Sequence, residues 1–353
     1  MNRHQTVFVG VSGGVDSSVA ALRLKKQGYN VVGVFIKVWH PDFMMCNWEA
    51  ERLDAMRVAA HLEIPFLTCD AVDAYRDEVA HYFIEEYKAG RTPNPDVLCN
   101  KEIKFGAFLR FAKEHGADYI ATGHYAQKLE VSSQIELHRS VDNNKDQSYF
   151  LWSLTPAQLE YSLFPIGSSE KSVIRSEAEK AGLPTATKKD SQGVCFLGHI
   201  DIKEFLSHYT SIETGDVLDE TGAVIGTHDG ALIYTVGQRH GFYLSNKDVE
   251  RSGMYVVAKD LTANTITVAK QRLVTNRSSI ITLKNVVLRK ALRSGDTLEA
   301  QFRYRQSPFK ILVTAVEPDS LSLETLEAVE APAAGQSCVI YSGSHCLGGG
   351  ILS

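Results

Sequence analysis

No apolar run in this 353-residue chain approaches the roughly 18 residues that cross a bilayer, so no membrane-spanning helix is expected. The N-terminal residues 1–6 are polar and lead straight into an apolar strand, and no secretory signal is expected there. The six cysteines (Cys46, Cys69, Cys99, Cys195, Cys338 and Cys346) lie far apart and form no C-x-x-C pair. That spacing excludes a disulfide framework and argues against a structural zinc site, so a reducing cytoplasm is the expected setting. Positive charge is also in short supply, with 37 Lys and Arg against 42 Asp and Glu for a net charge of −5. A polyanionic partner must then be held by a local basic surface, not by a global field. The chain has no internal repeat and no low-complexity segment. What it does have, 44% apolar and 22% charged residues, is the composition of a globular protein long enough for two or three domains.

Strand and helix signals alternate over the first two hundred residues. The apolar runs at 7–11, 31–38, 64–69 and 118–122 read as strands of an open parallel sheet. Helical patterns at 18–27, 49–62 and 74–88, and a further one carrying the stripe Phe105, Phe108, Leu109 and Ala112, separate them. In the 49–62 helix, Leu53, Met56 and Ala60 are expected on one face. The pattern changes near residue 200, after which the stretch 202–209 is the last helical one. Short runs at 280–288, 298–304, 310–316 and 337–341, set between turn residues, read as strands of small β domains, the last a β-barrel. The expected fold class is α/β: an N-terminal open parallel, Rossmann-like sheet over 1–203, a central β-rich domain over 204–275 and a C-terminal β-barrel over 276–353.

The loop Ser12-Gly13-Gly14-Val15-Asp16-Ser17 follows the first strand and opens the first helix, where a phosphate binds best. Gly13 and Gly14 let backbone N–H groups approach an anion, and Ser12 and Ser17 can donate hydroxyl hydrogen bonds. Asp16 repels phosphate, and its sensible role is to hold a Mg²⁺ that bridges phosphates. No lysine follows the glycines as a P-loop requires, and the G-x-G-x-x-G spacing of dinucleotide sites is missing. The S-G-G-x-D-S pattern resembles the ATP pyrophosphatases, in which ATP adenylates an oxygen, pyrophosphate leaves and a nucleophile displaces AMP.

Two cysteines have surroundings suited to such a nucleophile. Cys99 stands at a helix start with Lys101 and Lys104 nearby, both of which favour the thiolate. Cys195 lies in the polar loop Asp190-Ser191-Gln192-Gly193-Val194-Cys195, preceded by Lys188 and Lys189. The competing reading is that both are small buried hydrophobes, the usual fate of a cysteine without a partner. It is the preferred reading for the other four.

From end to end the chain resembles the tRNA-specific 2-thiouridylases (the MnmA family). The segments that carry the resemblance run in order: SGGVDSS, GRTPNPDVLCNKEIKF, DYIATGHYA, KDQSYFLW, DSQGVCFLG, TVGQRHG, FRYRQ, AGQSCVIY and CLGGGI. The resemblance implies an ATP-dependent sulfurtransferase that makes 2-thiouridine at the wobble position of the tRNA anticodon loop. Cys195 would carry a persulfide from a sulfur-carrier protein, and Cys99 would release the product and leave a transient Cys99–Cys195 disulfide. A route through hydrosulfide freed by Cys99 fits equally, and Asp96 would act as acid or base. Gly10, Val11, Ser12, Gly13, Gly14, Val15, Asp16, Ser17, Ile36 and Gly123 match ATP-contacting positions. Asn94, Pro95, Asp96, His124, Lys145, Asp146, Gln147, Arg303, Tyr304 and Gln336 match tRNA-contacting ones. Two other classes stay open on the residues alone: an amide-forming member of the ATP pyrophosphatases, which would need neither cysteine, and a nucleotide-dependent RNA-binding module without catalysis.

Overall fold

The computed structural model describes residues 5–44, 48–189, 201–245 and 253–353. In chain order its first strands are β1 (Thr6–Gly10), β2 (Asn30–Lys37), β3 (Phe66–Asp70), β4 (Tyr119–Ala121), the hairpin β5 (Ala126–Val131) and β6 (Gln134–Arg139), and β7 (Ser162–Leu163). Five of them form a wholly parallel sheet in the order β3-β2-β1-β4-β7. The centre of β1 is buried on both faces, as a near-continuous apolar strand must be. The strand order reverses beside β1, which places a crevice at the carboxyl ends of β1 and β4.

Helix α1 (Val15–Lys26) packs one face of this sheet through Val15, Val19, Leu22 and Leu24. Helix α2 (Trp48–His61) corrects an expectation. Its inward residues are Ala55, Val58 and Ala59, whereas Leu53 is 46% and Met56 39% exposed and Ala60 also faces outward. The cause is close approach: a Cβ on Gly13 would lie 2.8 Å from both Asp54 Cβ and the Glu51 carbonyl oxygen. So tight a helix–loop contact admits only small or compact side chains beneath it.

The helical stretches 72–88 and 95–114 each contain π-type turns, at Arg76–Ala80 and Cys99–Ala107. Their inward stripes are as spaced in the sequence: Tyr75, Val79 and Phe83 on one, Phe105, Phe108, Leu109 and Ala112 on the other. Among the described residues, no helix is long and apolar enough to cross a membrane.

The middle of the chain forms a second sheet from β8 (Gly215–Leu218), β9 (Val224–His228), β10 (Phe242–Leu244), β11 (Tyr255–Asp260) and β12 (Thr265–Ala269). The remaining strands are β13 (Val274–Thr275), β14 (Ile280–Leu288), β15 (Thr297–Gln301), β16 (Phe309–Val316), β17 (Ser320–Thr325), β18 (Val329–Glu330), β19 (Ser337–Ser342) and β20 (His345–Leu352). The ring β14-β17-β16-β15-β19-β20 closes through β14–β20 pairing, giving a six-stranded barrel. Alternate residues Phe309, Ile311 and Val313 of β16 and Leu321 and Leu323 of β17 fill it. The α/β sheet followed by two β-rich parts, the last a barrel, is the architecture expected.

One connection was not foreseen. The β5–β6 hairpin leaves the parallel sheet and joins the barrel edge, where His138 pairs with His345. Core residues follow it across: Phe8, Phe105, Phe108, Leu151 and Trp152 share a cluster with Val339, Tyr341 and Cys346 of the barrel. Arg289 of the barrel adds hydrogen bonds to the carbonyl oxygens of Trp152 (2.7 Å) and Leu154 (2.9 Å). Trp152→Ala is expected to destabilise the protein by about 3–5 kcal/mol through the cavity it leaves. A guanidinium denaturation midpoint unchanged from wild type would contradict this shared core.

Candidate functional site

The backbone of the phosphate loop is fixed from within. The Ser12 N–H donates to Ser17 Oγ (3.2 Å), and Ser18 Oγ donates to the Gly14 carbonyl (2.6 Å). Gly13 has φ +70°, a left-handed turn that favours glycine. Gly14 caps α1 without a side-chain hydrogen bond, so the first N–H groups of the helix have no side-chain cap competing with an anion. Gly123, just beyond β4, presses on the same turn: a Cβ there would lie 2.6 Å from the Ser17 nitrogen. Gly10 and Val11 lead from β1 into the loop, and Ile36 of β2 packs beside Gly10. The positions matched to ATP thus converge on one crevice, around a glycine turn that opens a helix.

Asp16 points into a contact invisible in the sequence. Lys171, the first residue of the Lys171–Lys180 helix, brings Nζ within 2.7 and 2.8 Å of the two Asp16 oxygens. The Tyr125 hydroxyl donates to the same carboxylate at 2.8 Å. With its side chain 12% exposed, Lys171 is held in an ion pair at the Ser12–Ser17 turn, where no lysine of the chain's own loop stands. A lone lysine at a helix start, separated from Asp16 by 155 residues, gives no sequence signal.

The turn 145–152 connects this crevice to everything else. Gln147 pairs with Tyr125 twice, its backbone N–H to the Tyr125 carbonyl (2.8 Å) and its Oε1 accepting from the Tyr125 N–H (2.9 Å). Asp146 is buried and accepts from the Ser140 and Ser148 N–H groups and from Arg139. Tyr149 donates to the carbonyls of Phe302 (2.9 Å) and Ser337 (3.1 Å) in the barrel region and is hydrogen-bonded by Asn94. The Phe150 carbonyl accepts from Asn100, the neighbour of Cys99.

Cys99 does lie in a helix that begins at Pro95, capped by Asn94 Oδ1 accepting from the Val97 N–H. Asp96 is in that first turn and half-buried. The Cys99 side chain itself is 3% exposed, packed with Tyr75, Phe83, Ile103 and Phe205 at the start of the π-type turns. Cys195 lies outside the described residues, as does Cys46. The flanks of that segment are placed: Lys188 pairs with Asp54 (2.8 Å) behind the phosphate loop, and Ile202 packs against the cluster around Cys99. Cys69, Cys338 and Cys346 are buried, and burial pushes all three thiols up, Cys69 to about 11. They behave as the core residues expected.

The residues matched to RNA contacts divide into two groups. Asn94, Tyr304, Gln336 and Arg303 gather where the first sheet, the middle sheet and the barrel meet. Tyr304 packs on Phe150 with ring centroids 4.6 Å apart, and Gln336 Oε1 accepts from the Ala333 N–H. Arg303 pairs with Glu330 (2.9 Å) and donates to the Ala331 and Val236 carbonyls, so it also clasps the two β-rich parts together. Lys145 is half-buried. His124 and Asp146, by contrast, are enclosed. His124 hydrogen-bonds Thr122 (2.7 Å), and burial holds it well below the usual imidazole range, so it is neutral near pH 7. Their geometry serves the frame.

Three family models cover the chain in order. A tRNA methyl transferase HUP domain matches residues 5–199, a tRNA methyl transferase PRC-barrel domain 203–270, and an aminomethyltransferase β-barrel domain 278–352. A tRNA-specific 2-thiouridylase MnmA of Listeria monocytogenes serotype 4b is 45% identical over 357 residues, spanning 98% of this chain and 94% of the relative. One of Enterococcus faecalis is 43% identical, spanning 99% and 96%. Among solved structures, a 4-thiouridine synthetase–RNA complex with bound ATP aligns with a TM-score of 0.38 at 19% identity, over 58% of this chain and 50% of that one. A likeness that weak carries no argument.

Lys171→Ala removes the cation facing Asp16 and is expected to weaken ATP binding about tenfold or more, the worth of one charge-assisted hydrogen bond. Gly123→Ala should do the same by displacing the Ser17 nitrogen. Calorimetric titration with ATP checks both, and unaltered affinity in the two variants would remove the crevice from consideration.

Proposed function

Since the chain belongs to the tRNA-specific 2-thiouridylase family, we propose that it replaces the C2 oxygen of a tRNA wobble uridine with sulfur at the expense of ATP. The observation that carries this reading is the 145–152 turn, which ties the phosphate loop through Tyr125 to the Cys99 helix through Asn100. A phosphate site and a thiol-bearing helix on one rigid support suit a reaction in which an oxygen is first activated and then displaced.

ATP enters the crevice as substrate, its phosphates against the N-terminus of α1 and the loop Ser12–Ser17. Lys171 neutralises the charge that builds on the departing pyrophosphate. Asp16 is the carboxylate that would hold a Mg²⁺ accompanying the nucleotide, where the ion would offset phosphate charge with Lys171 turned to phosphate. The uridine C2 oxygen attacks the α-phosphorus, pyrophosphate leaves, and C2 becomes an electrophile. The wobble base must be out of its stack for that edge to be reached. Asn94, Tyr304 and Gln336, at the junction of the three parts, form the surface we assign to the anticodon loop, with Tyr304 as a stacking face.

Cys195 receives its outer sulfur from a sulfur-carrier protein. That sulfur attacks C2 and AMP leaves with the former C2 oxygen. The Cys99 thiolate then attacks Cys195 Sγ, breaking the S–S bond. The electron pair departs on the 2-thiouridine sulfur, and a Cys99–Cys195 disulfide is left for an external thiol to reduce. If Cys99 acts first, hydrosulfide is released and attacks C2, and the same disulfide results. In either order Cys99 must leave its buried position, which we assign to opening of the π-type turns on RNA binding. Asp96, one turn before Cys99, is positioned to move the proton. The cytoplasm, where tRNA is matured, is the compartment we assign.

Incubation with unmodified tRNA, Mg²⁺-ATP and a protein persulfide donor, followed by nucleoside mass spectrometry, tests the assignment. 2-Thiouridine is expected from the wild type and none from Cys99→Ser or Cys195→Ser. A Cys195→Ser protein of full activity, or tRNA that binds but stays unthiolated, would sink the proposal.

A further inference from the structure

We propose that Glu136, His138 and His345 form a binding site for a borderline divalent metal ion, zinc in the first place, at the seam where β6 meets β20. The backbone alone brings the three donors together. Glu136 and His138 stand two residues apart on β6 and so project from one face of the sheet. His345 lies directly opposite His138 in the β6–β20 pairing.

The side chains converge further than the backbone requires. His138 Nε2 lies 2.7 Å from Glu136 Oε2, and His345 Nδ1 lies 3.4 Å from the same oxygen. The two imidazole rings are stacked, 16° from parallel with centroids 5.0 Å apart. One potential ligand atom from each of the three residues falls within 4.8 Å of the others. All three are largely withdrawn from solvent. Two imidazoles and a carboxylate aimed at one point, with a fourth position left over, is a donor set that zinc accepts. The two imidazoles argue against calcium and magnesium, which take oxygen ligands.

One surrounding feature fits a metal ligand. His138 Nδ1 is 2.9 Å from Ser344 Oγ, the outer contact that fixes the tautomer of a metal-bound histidine. With the metal on Nε2, the ring carries its single proton on Nδ1 and donates it to Ser344 Oγ. The Arg289 charge, which opposes a cation, is engaged by the carbonyl oxygens of Trp152, Leu154 and Cys346. A Zn–N bond of about 2.0–2.1 Å sets tetrahedral donors about 3.3 Å apart, so a metal would spread the Glu136–His138 pair slightly and would fasten the β5–β6 hairpin to the barrel. The β6–β20 ladder is one residue pair, His138 with His345, beside a hydrogen bond from the Arg139 N–H to the Ser344 carbonyl (2.8 Å).

The test uses the full-length protein, stripped with chelator and titrated with Co²⁺ and then Zn²⁺. One equivalent of Co²⁺ should give visible d–d bands without the near-ultraviolet thiolate charge-transfer band, and Zn²⁺ should displace it. A thermal-unfolding midpoint raised by Zn²⁺ should accompany binding. Glu136→Gln, which keeps the hydrogen bonds and the fold, should bind at least tenfold more weakly. The double variant His138→Gln, His345→Gln should lose the bands. Bands of thiolate type only, no binding at all, or unchanged Co²⁺ affinity in Glu136→Gln would overturn the proposal.

Discussion

The organisation of this protein depends on one short turn. Residues 145–152 satisfy polar groups of three separate regions: the Tyr125 backbone beside the phosphate loop, Asn100 beside Cys99, and the Phe302 and Ser337 carbonyls next to the barrel. Because a buried polar group left without a partner is costly, none of these regions can shift alone without breaking a hydrogen bond that nothing else replaces. Asp146 stiffens the turn from inside with four hydrogen bonds from Arg139, Ser140 and Ser148. Its burial looks unprofitable for a residue matched to RNA contact, yet it is what gives the neighbouring side chains fixed positions.

Much of the fold was legible because it is periodic. Apolar runs of strand length marked β1 and β2, and the Phe105–Ala112 stripe marked a helix face that is indeed buried. The failures have a common physical origin in long-range contact. The face of α2 was misread because the partner is a glycine turn, where contact selects Ala55 and Ala59 over Leu53 and Met56. The β5–β6 hairpin escaped notice because its partner strand lies some two hundred residues onward. At the site, the loop Ser12–Ser17 announced itself through glycine and its place after a strand. Lys171 did not, since nothing local distinguishes it from a solvated surface charge.

Sequence reading also left a question about Cys99 that the structure sharpens. A helix start and nearby lysines suggested a reactive thiol, while the usual burial of cysteine as a small hydrophobe suggested an enclosed one. Both descriptions hold: the residue is at a helix start and it is enclosed by Tyr75, Phe83 and Phe205. A thiol kept inside an apolar cluster is protected from oxidation by small oxidants, which suits the nucleophilic role we propose for it. Widened helical turns are weaker in backbone hydrogen bonding than a regular helix, and they begin at this residue.

The core shared between the parallel sheet and the barrel bears on how the protein is made. Val339, Tyr341 and Cys346 complete a cluster whose other members come from residues 8–164. A nascent chain that has emerged only through the parallel sheet therefore displays Phe8, Phe105 and Trp152 without their cover, however well its strands have paired. The nucleotide crevice is encoded early in translation, but its rigid support closes only after residues 337–352 have been synthesised. A ribosome that stalls short of that point yields a sticky fragment, not a half-working enzyme, and protein quality control has an exposed surface by which to recognise it.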